Sequence, residues 1–212
     1  SVARITRSEG GSGSGVIIAN GPGRTYIITA GHVCETPEVP KEVRGKDITI
    51  RTKVTNRISI TLYSGAELDS TIEAIDSKND LCLLRLSRRV GTPAILSDEM
   101  PVYGEKVYSL AAPYGMFNPG MVLAFEGRYS GMDYKTGFAF FTLPAQPGSS
   151  GSAVANSDGK VVGIVVAASR IFENVGLAVP GPVVYDFAQT HGVPGYQDHY
   201  KLRSECSACI PR

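Results

Sequence analysis

Along most of this chain apolar residues come in short runs broken by glycine, proline, asparagine and aspartate, the spacing of strands joined by tight turns. Val16-Ile17-Ile18-Ala19 predicts a strand, Asn20-Gly21-Pro22-Gly23 a turn, and Tyr26-Ile27-Ile28-Thr29 a second strand. Further strands are predicted at Ile48–Val54, Ile58–Tyr63, Thr71–Ile75 and Leu81–Leu86. Pro93 to Pro101 reads as a connector. A second group follows at Lys106–Leu110, Met121–Glu126, Phe138–Thr142, Ala153–Ala155, Val161–Ala168 and Gly176–Val179. Two groups of about six short strands predict an all-β chain of two barrels. One helix is expected. Pro182 suits its first position, Val183, Val184 and Phe187 supply an apolar stripe, and Gly192 can end it. Residues 35–47, rich in Pro, Glu and Lys, read as an exposed loop, and residues 193–212 as a loosely held tail.

Composition narrows the function classes. A chain of 212 residues, 42% hydrophobic, can bury a core in one domain or two small ones. The 24 glycines and 13 prolines suit many turns. A net charge of +1 provides no basic field for nucleic acid. No apolar run approaches the roughly 20 residues that span a bilayer as a helix. Gly10 to Gly15 lacks the lysine of a phosphate-binding loop and leads into a strand, so it reads as a glycine-rich entry to a hairpin. The chain starts at Ser1 without a signal peptide, as a mature or excised product would, and its compartment is not legible. Cys34 and Cys82 lie in apolar stretches and read most simply as small buried thiols. Cys206-Ser207-Ala208-Cys209 reads as a local disulfide or two free thiols, since no second pair completes a metal site. Neither metal nor cofactor is expected.

Three segments in chain order carry chemistry: Thr29-Ala30-Gly31-His32-Val33, Asn79-Asp80-Leu81-Cys82-Leu83 and Pro147-Gly148-Ser149-Ser150-Gly151-Ser152. A serine hydroxyl needs a neighbouring imidazole to take its proton, and the imidazole needs a carboxylate to fix its tautomer. His32 follows a strand and two small residues. His191 at a helix end and His199 in the tail read more readily as structural. Asp80 sits at the mouth of an apolar strand, where a carboxylate is costly without partners. Asp76 is the rival, but its turn-like surroundings leave it solvated. The glycines flanking the Ser149-Ser150 pair permit a tight turn in which the Gly148 and Ser150 amides converge as oxyanion donors.

These segments resemble the chymotrypsin-like serine proteases, and within them the HtrA/Deg type of trypsin-like peptidase. Supporting similarities are Gly13-Ser14-Gly15-Val16-Ile17, Pro113-Tyr114-Gly115, Val162-Gly163-Ile164 and Gly176-Leu177-Ala178-Val179-Pro180. The resemblance covers about residues 10–190. It implies two six-stranded antiparallel barrels with the site in the cleft between them. Residues 1–95 would form the first barrel and 96–192 the second with its short helix, followed by the tail at 193–212. His32 is then the general base, Asp80 the orienter and Ser150 the nucleophile. The side chain before the cut bond would enter a pocket walled by Pro144, Ala145 and Gln146, by Val166, Ala167 and Ala168, and by the segment from Gly176. None of these is charged, which favours small to medium apolar residues there. Ser149 replaces the aspartate that pairs with a freed N-terminus in zymogen-activated relatives, so activation by cleavage is not expected. Ser152 replaces a common glycine and is expected to tighten the leaving-group side.

The implied activity is that of a serine endopeptidase acting on protein or peptide, with no nucleic-acid or membrane partner. The alternative is a catalytically silent double barrel that binds peptides or a partner protein. An α/β-hydrolase is excluded by Ser152 where its motif needs glycine, and by the order His, Asp, Ser.

Overall fold

Short apolar strands, some alternating in burial like Ile58–Leu62 and others buried almost throughout like Leu81–Leu86, close this chain into two barrels. The computed structural model describes residues 1–8, 10–35 and 57–196, together with the backbone of 41–43 and 46–48. The first half contains β1 (Val2–Arg7), β2 (Ser12–Gly21), β3 (Arg24–Ala30), the one-turn helix α1 (Gly31–Cys34), β4 (Lys41–Val43), β5 (Lys46–Ile48), β6 (Ile58–Leu62), β7 (Glu67–Asp76) and β8 (Leu81–Leu86). The second contains β9 (Lys106–Ala111), β10 (Leu123–Met132), β11 (Ala139–Phe141), β12 (Ala153–Asn156), β13 (Val161–Ala168), β14 (Gly176–Pro180) and α2 (Gly181–Thr190). One closed barrel runs β1-β2-β3-β8-β7-β6 and the other β10-β11-β14-β13-β12-β9, the two six-stranded barrels that the resemblance implies. Every pairing is antiparallel.

The structure departs from the sequence expectations in several places. β1 was not predicted, although Ala3 and Ile5 are buried while Arg4 between them and Thr6 after them are not. A β4–β5 hairpin, with Lys41 opposite Ile48, occupies part of the stretch expected to be loop. Of the strand predicted at Ile48–Val54, Ile48 ends β5 and residues 49–54 lie outside the described residues. The tail is packed where it begins. Val193 and Tyr196 are buried, and the Tyr196 hydroxyl donates to Ile18 O at 3.1 Å. Cys206 and Cys209 lie outside the described residues.

One core cluster spans both barrels, and a second, around Val107, Tyr129 and Phe141, fills the second barrel. Ile164, Val166 and Val179 of the second barrel and Val184 of α2 pack with Ile17, Ile28 and Leu84 of the first. Gly192 ends the α2 region at φ +65, where glycine carries no Cβ penalty.

Cys34 and Cys82 are not free thiols. They form a disulfide that ties the end of α1 to β8, with Cα atoms 6.4 Å apart. Burial gave the same sequence signal for a thiol or a bridge. The pairing follows from the β3–β8 ladder, which places Thr29 opposite Cys82 and carries the chain on into α1.

Candidate active site

The register of β3 against β8 sets Ala30 opposite Leu81, so the residues just beyond each strand end, Gly31-His32 and Asp80, meet. Gly31 N–H continues the ladder by donating to Asp80 O at 2.9 Å. The Asp80 carboxylate then takes two bonds from His32. Oδ1 accepts from the backbone N–H at 2.7 Å, and Oδ2 lies 2.8 Å from ring Nδ1. Burial pushes the Asp80 pKa up, but the side-chain and backbone hydrogen bonds and charge of His32, with the Gly31 amide, outweigh it and hold the carboxyl below its ordinary value. An ionised carboxylate only accepts, so Nδ1 donates to it, and in the neutral imidazole the lone pair is on Nε2. The His32 side chain is 47% exposed and can be reached from the cleft.

Asp80 has a φ of +55, a left-handed conformation that aspartate tolerates better than most residues. Asp76 helps shape the turn before it, accepting from Lys78 N, Asn79 N and Asn79 Nδ2. Those bonds also lower the Asp76 pKa against the upward push of burial. The rival carboxylate therefore builds the turn that presents Asp80.

Ser150 sits in the turn from Pro147 to Gly151. Gly148, at φ +94, has no room for a side chain, since a Cβ there would lie 2.6 Å from Ala112 O. Gly151, at φ +86, faces Thr29 Oγ1 and Ala30 N so closely that a Cβ would overlap them. The turn holding Ser150 is thus pressed against the segment leading to His32.

Peptide planarity sets the amide directions. In a trans unit the C=O and N–H point opposite ways. Pro147 O accepts from Tyr114 N at 2.6 Å, and Ser149 O accepts from Ser152 N at 2.9 Å. The N–H groups of those same units belong to Gly148 and Ser150. Neither meets an acceptor among the described residues.

A cavity of about 220 Å³ opens beside Ser150, lined by Ala145, Gln146, Pro147, Ser149, Val165, Ala167 and Ala168. Four of the seven residues expected in the pocket, Ala145, Gln146, Ala167 and Ala168, meet there. Pro144 lines an adjoining cavity of about 360 Å³, which shares Ala145, Gln146 and Ala168 and adds Phe172 and Glu173. Val166 and Gly176 are buried and line neither. Glu173 was missed because loop shape, not a motif, brings it there. Larger cavities lie between the β7–β8 turn and α2 and beside Tyr103, but neither contains His32 or Ser150.

Ser152 does not face a leaving group. It is fully buried, with its hydroxyl 3.3 Å from Ser109 Oγ inside the second barrel. Ser149 is also buried, and its hydroxyl accepts from Gln146 N at 3.2 Å. Among the described residues, no cluster of three or more His, Cys, Asp or Glu side chains could hold a metal.

Comparison with known proteins places the family and the fold. The family described as "Trypsin-like peptidase domain" matches residues 13–164. The chain is 29% identical over 197 residues to "Serine protease Do-like HtrA" of Bacillus subtilis, covering 86% of this chain and 39% of that protein. Its fold is similar to a serine endoprotease from Yersinia pestis, with a TM-score of 0.69 at 20% identity over 90% of this chain and 62% of that one. It is also similar to the active form of the Rv3671c protease of M. tuberculosis, with a TM-score of 0.68 at 19% identity over 91% and 81% of the two chains. The chain spans only 22% to 39% of the length of its first three curated relatives.

Proposed function

We propose, for a chain that belongs to the trypsin-like peptidase domain family, that it is a serine endopeptidase with His32 as general base, Asp80 as orienter and Ser150 as nucleophile. The observation that carries this reading is the pair of hydrogen bonds that the Asp80 carboxylate accepts from His32, one from its backbone N–H and one from its ring. That contact fixes the position and the tautomer of the imidazole together.

The reaction proceeds in two halves. His32 Nε2 takes the Ser150 hydroxyl proton as Oγ bonds to the substrate carbonyl carbon. The carbonyl π pair moves to oxygen, and that oxyanion is met by the Gly148 and Ser150 N–H groups. Collapse of the tetrahedral adduct breaks the C–N bond, and His32 returns its proton to the leaving amine. Water, deprotonated by the same imidazole, then releases the acyl group and restores the serine. Asp80 stays ionised throughout and stabilises the imidazolium.

The cavity beside Ser150 has no charged lining, which supports small to medium apolar side chains before the cut bond. Pockets that sort side chains by a single methylene discriminate by only about 1–3 kcal/mol, so the preference is broad.

The reading is tested with a fluorophosphonate probe, which labels a serine activated by a base. Wild type should be labelled and Ser150→Ala should not. Its kcat for a peptide should fall on the order of a million-fold with the fold intact, as in the analogous subtilisin variants. Equal labelling of both proteins would remove Ser150 from the role.

A further inference from the structure

Ser14 is fully buried in β2 of the first barrel, yet most of its bonds leave that barrel. Its hydroxyl donates to Gly148 O at 2.8 Å and accepts from Ala112 N at 3.0 Å. Its backbone N–H donates to Ser150 O at 2.7 Å. Its carbonyl accepts from Thr29 Oγ1 at 2.7 Å, three residues before His32. One residue therefore joins the base's segment to the nucleophile's turn.

The four consecutive carbonyls from Pro147 to Ser150 are all held. Tyr114 N and Ser152 N hold those of Pro147 and Ser149, and Ser14 holds those of Gly148 and Ser150. The units that Ser14 clamps alternate with the units carrying the two outward N–H groups. The Gly148–Ser149 unit lies between those donors, so its orientation sets the angle at which they converge. Gly148, at φ +94, is the joint most able to turn if that clamp is lost. Gly148 and Ala112 are both buried, so no solvent water stands ready to replace the hydroxyl.

We propose that Ser14 is a positioning residue for catalysis: through its hydroxyl it holds the oxyanion donors of Gly148 and Ser150 in register with Ser150 Oγ and the His32 segment. This rests on the reading of Ser150 as nucleophile. The contribution is to kcat rather than to substrate affinity, because the donors meet full charge only in the tetrahedral adduct.

The test compares two pairs of full-length proteins: wild type with Ser14→Ala, and Ser14→Thr with Ser14→Val. Threonine and valine have the same shape and crowd the site equally, so they differ only in the hydroxyl. Peptide cleavage is measured on each, with thermal unfolding to fix the folded fraction at the assay temperature. A misplacement of about 1 Å in a catalytic group costs about 100-fold. The expected result is a loss of about tenfold to 100-fold in kcat per folded molecule for alanine against wild type and for valine against threonine, with KM changed little. Equal kcat within both pairs overturns the proposal, as does a loss accounted for entirely by unfolded protein or carried entirely by KM. If wild type takes up no fluorophosphonate, the Ser150 reading itself falls and the role of Ser14 with it. If wild type is labelled and both pairs are equal, only the role of Ser14 falls.

Discussion

The Cys34–Cys82 bridge joins residues 48 apart in sequence, each placed two positions after a member of the His32–Asp80 pair. Reduction restores to the unfolded chain the freedom of that loop. The chain-entropy relation for a loop of this length gives about 4 kcal/mol at 25 °C. A domain's whole stability is about 5–15 kcal/mol, so this is a large share of it. At roughly 2–4 °C per kcal/mol for a chain of this size, the thermal midpoint should fall by about 8–16 °C. The catalytic geometry should change much less, because the bonds from Asp80 to Gly31 and His32 are backbone and ring contacts that involve no sulfur. Denaturant melts with and without a phosphine reductant measure the first effect, and peptide cleavage well below the midpoint measures the second. A Cys206→Ser, Cys209→Ser background confines the reduction to Cys34 and Cys82. Two titratable thiols in the unreduced background protein, or coincident melts, would refute the reasoning. A hundredfold loss of activity in reduced but folded protein would show instead that the bridge positions the base.

Asp80→Asn should fold but place an amide where Nδ1 needs an acceptor, favouring the wrong tautomer; a kcat loss of about ten-thousand-fold is expected by analogy with the chymotrypsin-type example, and a loss under tenfold would exclude Asp80 as orienter. Stability should fall in acid. The Asp80 carboxyl titrates lower folded than unfolded, so its contribution is complete above the unfolded value of about 3.9 and is lost as pH falls through the folded one. Denaturant midpoints between about pH 5 and about pH 2 should therefore decline less steeply in Asp80→Asn than in wild type, and parallel curves would contradict the linkage. A peptide-library profile should favour Val, Ala, Leu or Met before the cut. A profile dominated by Arg and Lys would overturn that preference and point to Glu173, the one charged side chain lining the adjoining cavity.

Much of the fold was legible because each strand is a short run bounded by turn residues. The runs at Val16–Ala19, Tyr26–Thr29 and Leu81–Leu86 are apolar almost throughout and buried almost throughout, a signal that needs no knowledge of the partner strand. In β1 two arginines mask a strand whose buried residues include Ala3 and Ile5. His32, Asp80 and Ser150 could be singled out as candidates because each sits in a local setting, a strand end or a glycine-flanked turn, that leaves a mark on neighbouring residues.

Contacts between distant segments leave no such mark. A buried serine reads the same whether its hydroxyl faces Ser109, as that of Ser152 does, or spans two barrels, as that of Ser14 does. Cys34 and Cys82 look like apolar thiols until the β3–β8 register brings them together. The sequence by itself determined the strand-rich class and the division into two barrels, and singled out the residues proposed for acyl transfer, since each depends on neighbours along the chain. Only the tertiary structure decided the disulfide, the outward turn of the Gly148 and Ser150 amides, the lining of the cavity and the place of Ser14. Each of those depends on which segments the closed barrels bring side by side, within one barrel for the disulfide and the cavity and between the two for Ser14, a matter of distance in space more than along the chain.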